Sequence, residues 1–334
     1  MPPLRMAIIG CGGFARRHAQ VFTELPDYFQ LVAFCDRNHD RAARFSQDFT
    51  QGAAAVFTDH PTLFAQARLD AVAICVPPYG HTDQVACAAQ HGVHVFIEKP
   101  IALTMEQAWS MVEAAEAAGI VTQVGFMLRF GSAVERLKQI IESGEAGQAG
   151  LMSARYFCND LHAGWWRSRD RSGGQLVEQV IHMIDLMRYL MGEAESVYSI
   201  QRNLFHKNVP DYTIEDVSGT TISFAQGGIG VLYATNNAIP GKWTNDYRVV
   251  TAHLTAEFSD ANHAAFVYTS DPALPRETVA SDESVYRREM MDFYHAIREN
   301  RPARTPIREG ARSLALALAA TQSAQTNQVV FLSR

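Results

Sequence analysis

The stretch MAIIGCGGFA, residues 6–15, decides the fold of the first part of the chain, because it joins a short apolar run to a glycine-rich turn. The residues that follow, 18–25, repeat apolar side chains at helical spacing. Glycines between a strand and a helix indicate a dinucleotide-binding turn. We expect Gly10 to permit the tight turn, Gly12 to let the backbone approach a pyrophosphate, and Ala15 to allow close packing of helix on sheet. The candidate cofactor-binding residues of this turn are Gly10, Gly12, Gly13, Phe14 and Ala15, and the alternative is a glycine-rich turn without a ligand.

Four further apolar runs follow, separated by segments with helical periodicity. They are LVAFCD at 31–36, AVAICV at 71–76, HVFIE at 94–98 and VTQVGF at 121–126. Apolar runs rich in Val and Ile that alternate with helices predict a parallel sheet covered on both faces. The sequence therefore predicts an α/β fold class here, a doubly wound Rossmann domain over residues 1–123.

The order of elements changes after about residue 130. We expect a helix at 132–142, a strand at 151–157, a Trp- and Arg-rich loop at 162–174 and a helix at 175–191. Strands follow near Val197 and at 217–224, 229–235, 247–258 and 264–269, a loose loop at 271–275, and final helices at 284–300 and 308–325. Consecutive strands without intervening helices predict an open, mainly antiparallel sheet. Residues 124–334 would then form an α+β domain that binds substrate and supports oligomerisation.

Composition limits the class of protein. A chain of 334 residues with 47% hydrophobic and 19% charged residues is expected to form two globular domains. The net charge of −6 and the lack of a basic run argue against nucleic-acid binding. No apolar run reaches membrane-spanning length and no secretory pattern is seen, so we expect a cytoplasmic protein without a membrane partner. The five cysteines are odd in number and widely spaced, which predicts reduced thiols and no zinc site.

Asp36 ends the second predicted strand. A carboxylate at this position can accept hydrogen bonds from the ribose hydroxyls of adenosine and would repel a 2′-phosphate. Arg37 follows directly and could weaken that discrimination, so we favour NAD as the cofactor and keep NADP as possible. The alternative reading of Asp36 is a solvated loop acid.

Motifs along nearly the whole chain resemble one family. They are GCGGFA at 10–15, CVPPYGH at 75–81, FIEKP at 96–100, GFMLRF at 125–130, WWR at 165–167 with Gly173 and Gly174, HMIDLMRYLMG at 182–192 and YRREMMDFYHAI at 286–297. This combination resembles the glucose-fructose oxidoreductase, inositol dehydrogenase and rhizopine-catabolism family (Gfo/Idh/MocA). The resemblance implies reversible hydride transfer between a nicotinamide cofactor and a sugar, polyol or inositol-like substrate. It also implies homodimers or homotetramers joined through the open face of the second domain's sheet.

The resemblance also implies catalytic residues. The lysine of its EKP motif is Lys99, whose ammonium could donate to the reacting hydroxyl and favour the alkoxide. Its Asp-x-x-x-His pair corresponds to Glu178 and His182, with Glu in place of Asp, and Val180 replaces a common glycine. On a continuous helix Glu178 and His182 share one face, so the carboxylate could raise the basicity of the imidazole that takes the proton. Asp185 would orient His182 or cap a backbone group.

Each catalytic assignment has an alternative. Lys99 could be an exposed surface lysine, and the helix could carry a solvated polar stripe. Glu178, His182 and Asp185 could instead bind a divalent metal; we expect no metal, because the family generally transfers hydride without one.

The remaining candidates rest on the motifs. Further cofactor-binding candidates are Val76, Pro77, His81, Glu98, Lys99, Trp166 and Arg167. By resemblance Trp166 and Arg167 approach the nicotinamide, and the alternative is a purely structural loop cluster. The substrate-binding candidates are Met127, Arg129, Asn159, Gln179 and Tyr286, each of which could instead belong to the core or an interface.

Three functions stay open. The first is a dehydrogenase acting on a sugar or polyol hydroxyl. The second is an NAD-dependent glycosidase of the same family, which oxidises its sugar transiently and returns the hydride. The third is a non-catalytic dinucleotide-sensing protein.

Overall fold

A computed structural model describes residues 2–269 and 277–332, so the loop expected at 271–275 lies outside the described residues. Contacts divide the chain into two compact units. The first comprises the residues up to Gly125 together with Tyr286–Ala311, and the second comprises Phe126–Val285 and the residues from Arg312 onward. We predict a single boundary between residues 123 and 124, which falls near the first of these divisions. The sequence does not indicate that the chain comes back to the first unit at Tyr286–Ala311. That return has a physical cause, because Met290 and Phe293 are buried in the same apolar cluster as Met6 and Phe34.

The elements are as follows. The helices are α1 Gly13–Thr23, α2 His39–Thr50, α3 His60–Gln66, α4 Gln84–Gln90, α5 Met105–Ala117, α6 Ser132–Glu142, α7 Arg169–Ser172, α8 Gln175–Glu178, α9 Ile181–Met191, α10 Val285–Glu299 and α11 Ile307–Thr326. The strands are β1 Leu4–Ile9, β2 Phe29–Cys35, β3 Ala55–Phe57, β4 Ala71–Ile74, β5 His94–Ile97, β6 Thr122–Val124, β7 Ala149–Phe157, β8 Ala194–Arg202, β9 Val217–Phe224, β10 Ile229–Thr235, β11 Tyr247–Thr251, β12 Leu254–Asp260, β13 His263–Tyr268, β14 Glu277–Val279 and β15 Val330–Phe331.

The sheet of the first unit has six strands in the order β3-β2-β1-β4-β5-β6, and every neighbouring pair is parallel. All four residues of β4 are buried, as expected for a strand covered on both faces. Side chains of Asn38, Asp59 and Thr104 accept hydrogen bonds from N–H groups in the first turns of α2, α3 and α5. The doubly wound fold predicted from the sequence is confirmed, and its strand order reverses between β1 and β4, where such sheets bind ligands.

The sheet of the second unit has nine strands in the order β14-β13-β12-β11-β7-β10-β9-β8-β15. The β7–β10 pair is parallel and the other neighbouring pairs are antiparallel, which confirms the mainly antiparallel sheet. Residues alternate between the two faces: in β10, Leu232 is buried whereas Val231 and Tyr233 are exposed. Helix α9 covers the buried face, where an added Cβ on Gly230 would lie 3.3 Å from the Met187 sulfur.

The strand predicted at 247–258 is two strands, β11 and β12, joined by a turn at Ala252 and His253. The hydroxyl of Thr251 makes this turn, because it accepts from the Leu254 N–H and donates to the Ala146 carbonyl. The expectation of one strand was therefore wrong. The sequence did not indicate the turn, because neither a glycine nor a proline lies in it.

The helix predicted at 175–191 is likewise interrupted, into α8 and α9. At the interruption the Val180 N–H donates to the carbonyl of Gln175, five residues back, instead of to Leu176. Such a widened turn re-aims the side chains that follow it. The expectation of one continuous helix was therefore wrong, and a shared face for Glu178 and His182 stays a prediction.

Among the described residues, no helix combines the length and the apolar character needed to cross a membrane. All five cysteines are unpaired with one another in the structure, and their reduced state stays a prediction.

Candidate functional site

The glycine-rich turn forms an open cradle at the start of α1. Gly10 has a φ of +90°, and a Cβ there would lie 2.9 Å from the Cys75 carbonyl group, so only glycine fits. A Cβ on Gly12 or Gly13 would have no atom within 4 Å, and no side chain caps α1. Uncapped N–H groups beside an open cradle fit a pyrophosphate. Ala15 is fully buried, as close packing of this helix requires, and Phe14 is exposed.

Asp36 holds the turn to the end of β2. Its Oδ2 accepts from the Cys11 N–H at 2.9 Å, and its Oδ1 accepts from the Asn38 N–H at 2.9 Å. A carboxylate has about four acceptor positions, so two remain for ribose hydroxyls. Arg37 is exposed beside it.

The loop after β4 lies against this turn. Val76 and Pro77 are half-buried, and the Cγ1 of Val76 would lie 2.9 Å from a Cβ on Gly10. The backbone carbonyl of His81 accepts a hydrogen bond from the Gln107 amide. Burial lowers the pKa of His81 to about 4, so its imidazole is neutral at physiological pH.

Lys99 follows β5 at the carboxyl end of the parallel sheet and is half-buried. Its N–H donates to Glu98 Oε2 at 3.1 Å, and Glu98 Oε1 lies 2.6 Å from Nε2 of His18 on α1. Glu98 is buried and His18 has no solvent exposure. The backbone of Lys99 is thus bonded to the Glu98 carboxylate, and that carboxylate is bonded in turn to His18 of α1.

Tyr286 lies in the first unit, against α1. Its ring centroid is 6.2 Å from that of Phe14 and 6.3 Å from that of His18, and the Arg17 guanidinium lies 4.9 Å from the ring. Burial raises the pKa of Tyr286 to about 12. A substrate contact by Tyr286 stays a prediction.

In the second unit, the loop before α8 makes contacts within itself. The Trp166 indole is 2% exposed and donates to Glu178 Oε2 at 2.8 Å. The Arg167 guanidinium donates to the backbone carbonyls of Leu161 and His162. These contacts match the structural alternative for Trp166 and Arg167, and their approach to the cofactor stays a prediction.

His182 lies in the first turn of α9 and is 5% exposed, with Phe126 edge-on to its ring at 6.3 Å between centroids. Gln179, at the helix interruption, places its Nε2 at 2.6 Å from Nε2 of His162, and its Oε1 accepts from the Cys158 thiol. A substrate contact by Gln179 stays a prediction. Glu178 has the Trp166 indole as one partner, and the expected effect of its carboxylate on His182 stays a prediction.

Asp185 does not take the role that we expect for it, orienting His182 or capping a backbone group. It forms a two-point ion pair with Arg129, with both N–O distances at 2.7 Å, and accepts from the Ser313 hydroxyl at 2.9 Å. Both members of the pair are almost fully buried. Arg129 is therefore anchored by a structural partner, and a contact with substrate stays a prediction.

Two other substrate candidates are half-buried. Asn159 donates to the Ala238 carbonyl at 2.8 Å, and Met127 lies in a short 3-10 turn after β6. Substrate contacts by both stay predictions.

Sequence reasoning missed two buried titratable residues of the first unit, His18 and Glu289. His18 lies in the middle of α1, the helix that follows the glycine turn. An ionisable residue on the apolar face of a helix is the sequence signal that could have identified it. Glu289 lies in the YRREMMDFYHAI motif; its pKa is raised well above the usual value by burial and by the charge of Glu98.

Within the described residues, one group with metal-type ligands also comes together, at His60, Asp83 and Cys87. Asp83 bonds to both partners, to His60 Nε2 at 2.9 Å and to the Cys87 thiol at 3.6 Å. These hydrogen bonds account for the proximity of the three side chains without an ion.

Comparison with known proteins identifies the family. Residues 4–126 match the family model described as "Oxidoreductase family, NAD-binding Rossmann fold", and residues 134–257 match the "GFO/IDH/MocA C-terminal domain". D-glucoside 3-dehydrogenase of Escherichia coli K12 is 31% identical over 244 residues, 68% of each chain. A 2,7-anhydro-N-acetylneuraminate hydratase of Mediterraneibacter gnavus is 28% identical over 242 residues, 70% of this chain and 61% of that protein. The structure of a levoglucosan dehydrogenase in complex with NADH and L-sorbose has the same fold, with a TM-score of 0.91, 23% identity and full coverage of both chains.

The matches cover both units, and the cradle at the start of α1 fits the dinucleotide that the first family model describes. The chain therefore belongs to the Gfo/Idh/MocA family of oxidoreductases and is an NAD-dependent dehydrogenase by class.

Proposed function

We propose that the protein transfers hydride between NAD and a secondary hydroxyl of a sugar, polyol or inositol-like substrate. The observation that carries the proposal is the placement of Lys99 at the carboxyl end of β5, in the same unit as the open cradle of Gly12 and Gly13. A dinucleotide whose pyrophosphate lies on α1 of a doubly wound sheet extends along this edge. The D-glucoside 3-dehydrogenase relative supports a carbohydrate as the substrate class.

The protein's own groups handle the proton. Oxidation of an alcohol removes a hydride from carbon and a proton from oxygen, and bound NAD supplies the hydride acceptor. In this proposal the Lys99 ammonium donates to the substrate oxygen and stabilises its developing negative charge. The His182 imidazole takes the hydroxyl proton as the general base. Glu178 acts through the loop, because its carboxylate holds the Trp166 indole.

Asp36 supports NAD over NADP as the cofactor used. Its carboxylate would bond the ribose hydroxyls and repel a 2′-phosphate, whereas the neighbouring Arg37 is free to lie away from the turn because it is exposed. We also propose a cytoplasmic location, since five free thiols suit a reducing compartment.

The test is turnover on a panel of sugars, inositols and sugar acids, with NAD and with NADP, read as absorbance of the reduced cofactor. Lys99→Ala and His182→Ala should each lower kcat by about 10²- to 10⁴-fold, because positioned acid-base groups contribute that much. Both should bind NAD with wild-type affinity in calorimetry, and Lys207→Ala, a change at an exposed lysine, should keep full activity. Full activity in Lys99→Ala would refute the assignment; loss of activity on chelation, restored by zinc or manganese, would favour a metal mechanism.

A second candidate is a reaction in which the sugar is oxidised only transiently, as in the glycosidase alternative. The hydratase relative supports this second candidate, because hydration is a reaction without net oxidation of the substrate. Product release with catalytic amounts of NAD and no accumulated NADH would identify this reaction; stoichiometric NADH would exclude it.

A further inference from the structure

The contacts of His18 connect α1, the helix that follows the glycine-rich turn, to the backbone of Lys99. His18 lies on α1, one turn past Ala15, and its imidazole Nε2 is 2.6 Å from Glu98 Oε1, across 80 residues of sequence. The other oxygen of Glu98 accepts the Lys99 N–H at 3.1 Å. One carboxylate therefore joins the helix that faces the pyrophosphate to the residue that we propose for proton handling.

The surroundings make this bond strong and directional. His18 has no solvent exposure, and its ring packs edge-on against Phe14, Phe96 and Tyr286, with centroids 4.9 to 6.3 Å away. Within the described residues Nδ1 of His18 has no hydrogen-bond partner, so the bond to Glu98 is the ring's single hydrogen bond. A hydrogen bond in an apolar cage is stronger than one in water.

The Glu98 side chain has little freedom to move. Its own N–H donates to the Ile74 carbonyl of β4, which fixes its backbone. A Cβ on Gly125 would lie 3.0 Å from Cδ and both oxygens of Glu98, tighter than ordinary contact. The absence of a side chain at residue 125 is thus what lets the carboxylate occupy this place.

We propose that His18 is a positioning residue of the hydride-transfer site: through Glu98 it holds the Lys99 peptide in a fixed relation to the pyrophosphate helix. The inference rests on the proposed function, because it assigns Lys99 a role in turnover. His18 itself has no exposed atom with which to touch substrate, so it acts through Glu98.

The test compares two replacements of His18. His18→Leu keeps an apolar side chain in the cage but removes the donor, and His18→Gln retains an N–H donor. We expect His18→Leu to lower kcat by about 10- to 100-fold, since a displacement of about 1 Å in a reacting group costs this much. The NAD dissociation constant should change little, and His18→Gln should recover most of the lost turnover. Equal kcat in wild type and His18→Leu would overturn the proposal.

Two further variants separate positioning from general loss of stability. His94→Leu is the matched control, because His94 is at the other end of β5, where its Nδ1 accepts the Val121 N–H; it should lower thermal stability but leave kcat unchanged. Gly125→Ala should displace the Glu98 carboxylate, because the added Cβ would lie 3.0 Å from it, and should lower kcat as His18→Leu does. This variant keeps the test decisive if His18→Leu does not fold. A wild-type kcat in Gly125→Ala would count against the proposal.

A double-mutant cycle identifies the residue through which His18 acts. In a Lys99→Ala background, His18→Leu should cause no further loss of kcat, because the group that it positions is gone. An equal loss in both backgrounds would show that His18 acts elsewhere. If Lys99→Ala is as active as wild type, the proposed function fails instead, and the rate at which an amine-acylating reagent modifies Lys99 then decides the inference: it must differ between wild type and His18→Leu.

Discussion

Gly10 and Gly12 stand two residues apart in the same turn, but an added side chain would meet different surroundings at each. At Gly12 the backbone is ordinary, with a φ of −91°, and nothing lies within 4 Å of a Cβ. Gly12→Val should therefore fold normally and lose NAD affinity, because the side chain takes the space of the pyrophosphate. Calorimetry with NAD and a thermal melt measure the two effects.

Gly10→Ala should affect the stability of the fold, in contrast to Gly12→Val, which should affect NAD binding. Its Cβ would lie 2.9 Å from the Cys75 carbonyl group at a positive φ, so the strain falls on the fold. We expect a loss of about 1–3 kcal/mol in the free energy of unfolding. Unchanged NAD affinity in Gly12→Val, or a wild-type melting temperature in Gly10→Ala, would contradict this account of the turn.

At the scale of the element, α10 carries the buried Glu289 into the first unit. Within the described residues neither of its carboxyl oxygens has a hydrogen-bond partner, and burial, with the charges of Glu98 and Asp292, raises its pKa well above the usual value. The folded state therefore retains a proton that the unfolded chain loses above about pH 4.3. Stability should fall as the pH rises from there toward the folded pKa, by about 1.4 kcal/mol per pH unit.

Glu289→Gln should remove this dependence, so the variant gains stability relative to wild type as the pH rises. Urea denaturation between pH 5 and pH 8 measures it, with the exposed Glu113→Gln on α5 as the control. A pH-independent difference between Glu289→Gln and wild type would show that Glu289 is ionised in the folded protein.

At the scale of the whole molecule, the uncovered face of the nine-stranded sheet presents apolar side chains. Leu151, Ile229, Val231 and Tyr233 are each 38–48% exposed on the adjacent strands β7 and β10. Contiguous apolar surface of this kind marks an interface. We predict a homodimer or homotetramer joined through this face, as the family resemblance implies.

Val231→Glu places a charge at the centre of this patch and should shift the protein toward monomers in sedimentation experiments, while Arg44→Glu, an exposed change on α2, should not. A wild-type protein that sediments as a monomer at micromolar concentration would be inconsistent with the prediction.

Local patterns in the sequence determined the fold class of each domain, the glycine-rich turn and the family. Strand and helix periodicity depends on neighbouring residues, and the glycine motif specifies its own backbone, so each can be read without knowing distant contacts. The tertiary structure alone decided the partners of the site residues. The Glu98–His18 bond spans 80 residues and the Asp185–Arg129 pair spans 56. The turn at Ala252 depends on a Thr251 hydroxyl that bonds a carbonyl 105 residues away. Such contacts form only when separate segments are packed together, because burial removes water and leaves each polar group to find its partner within the protein.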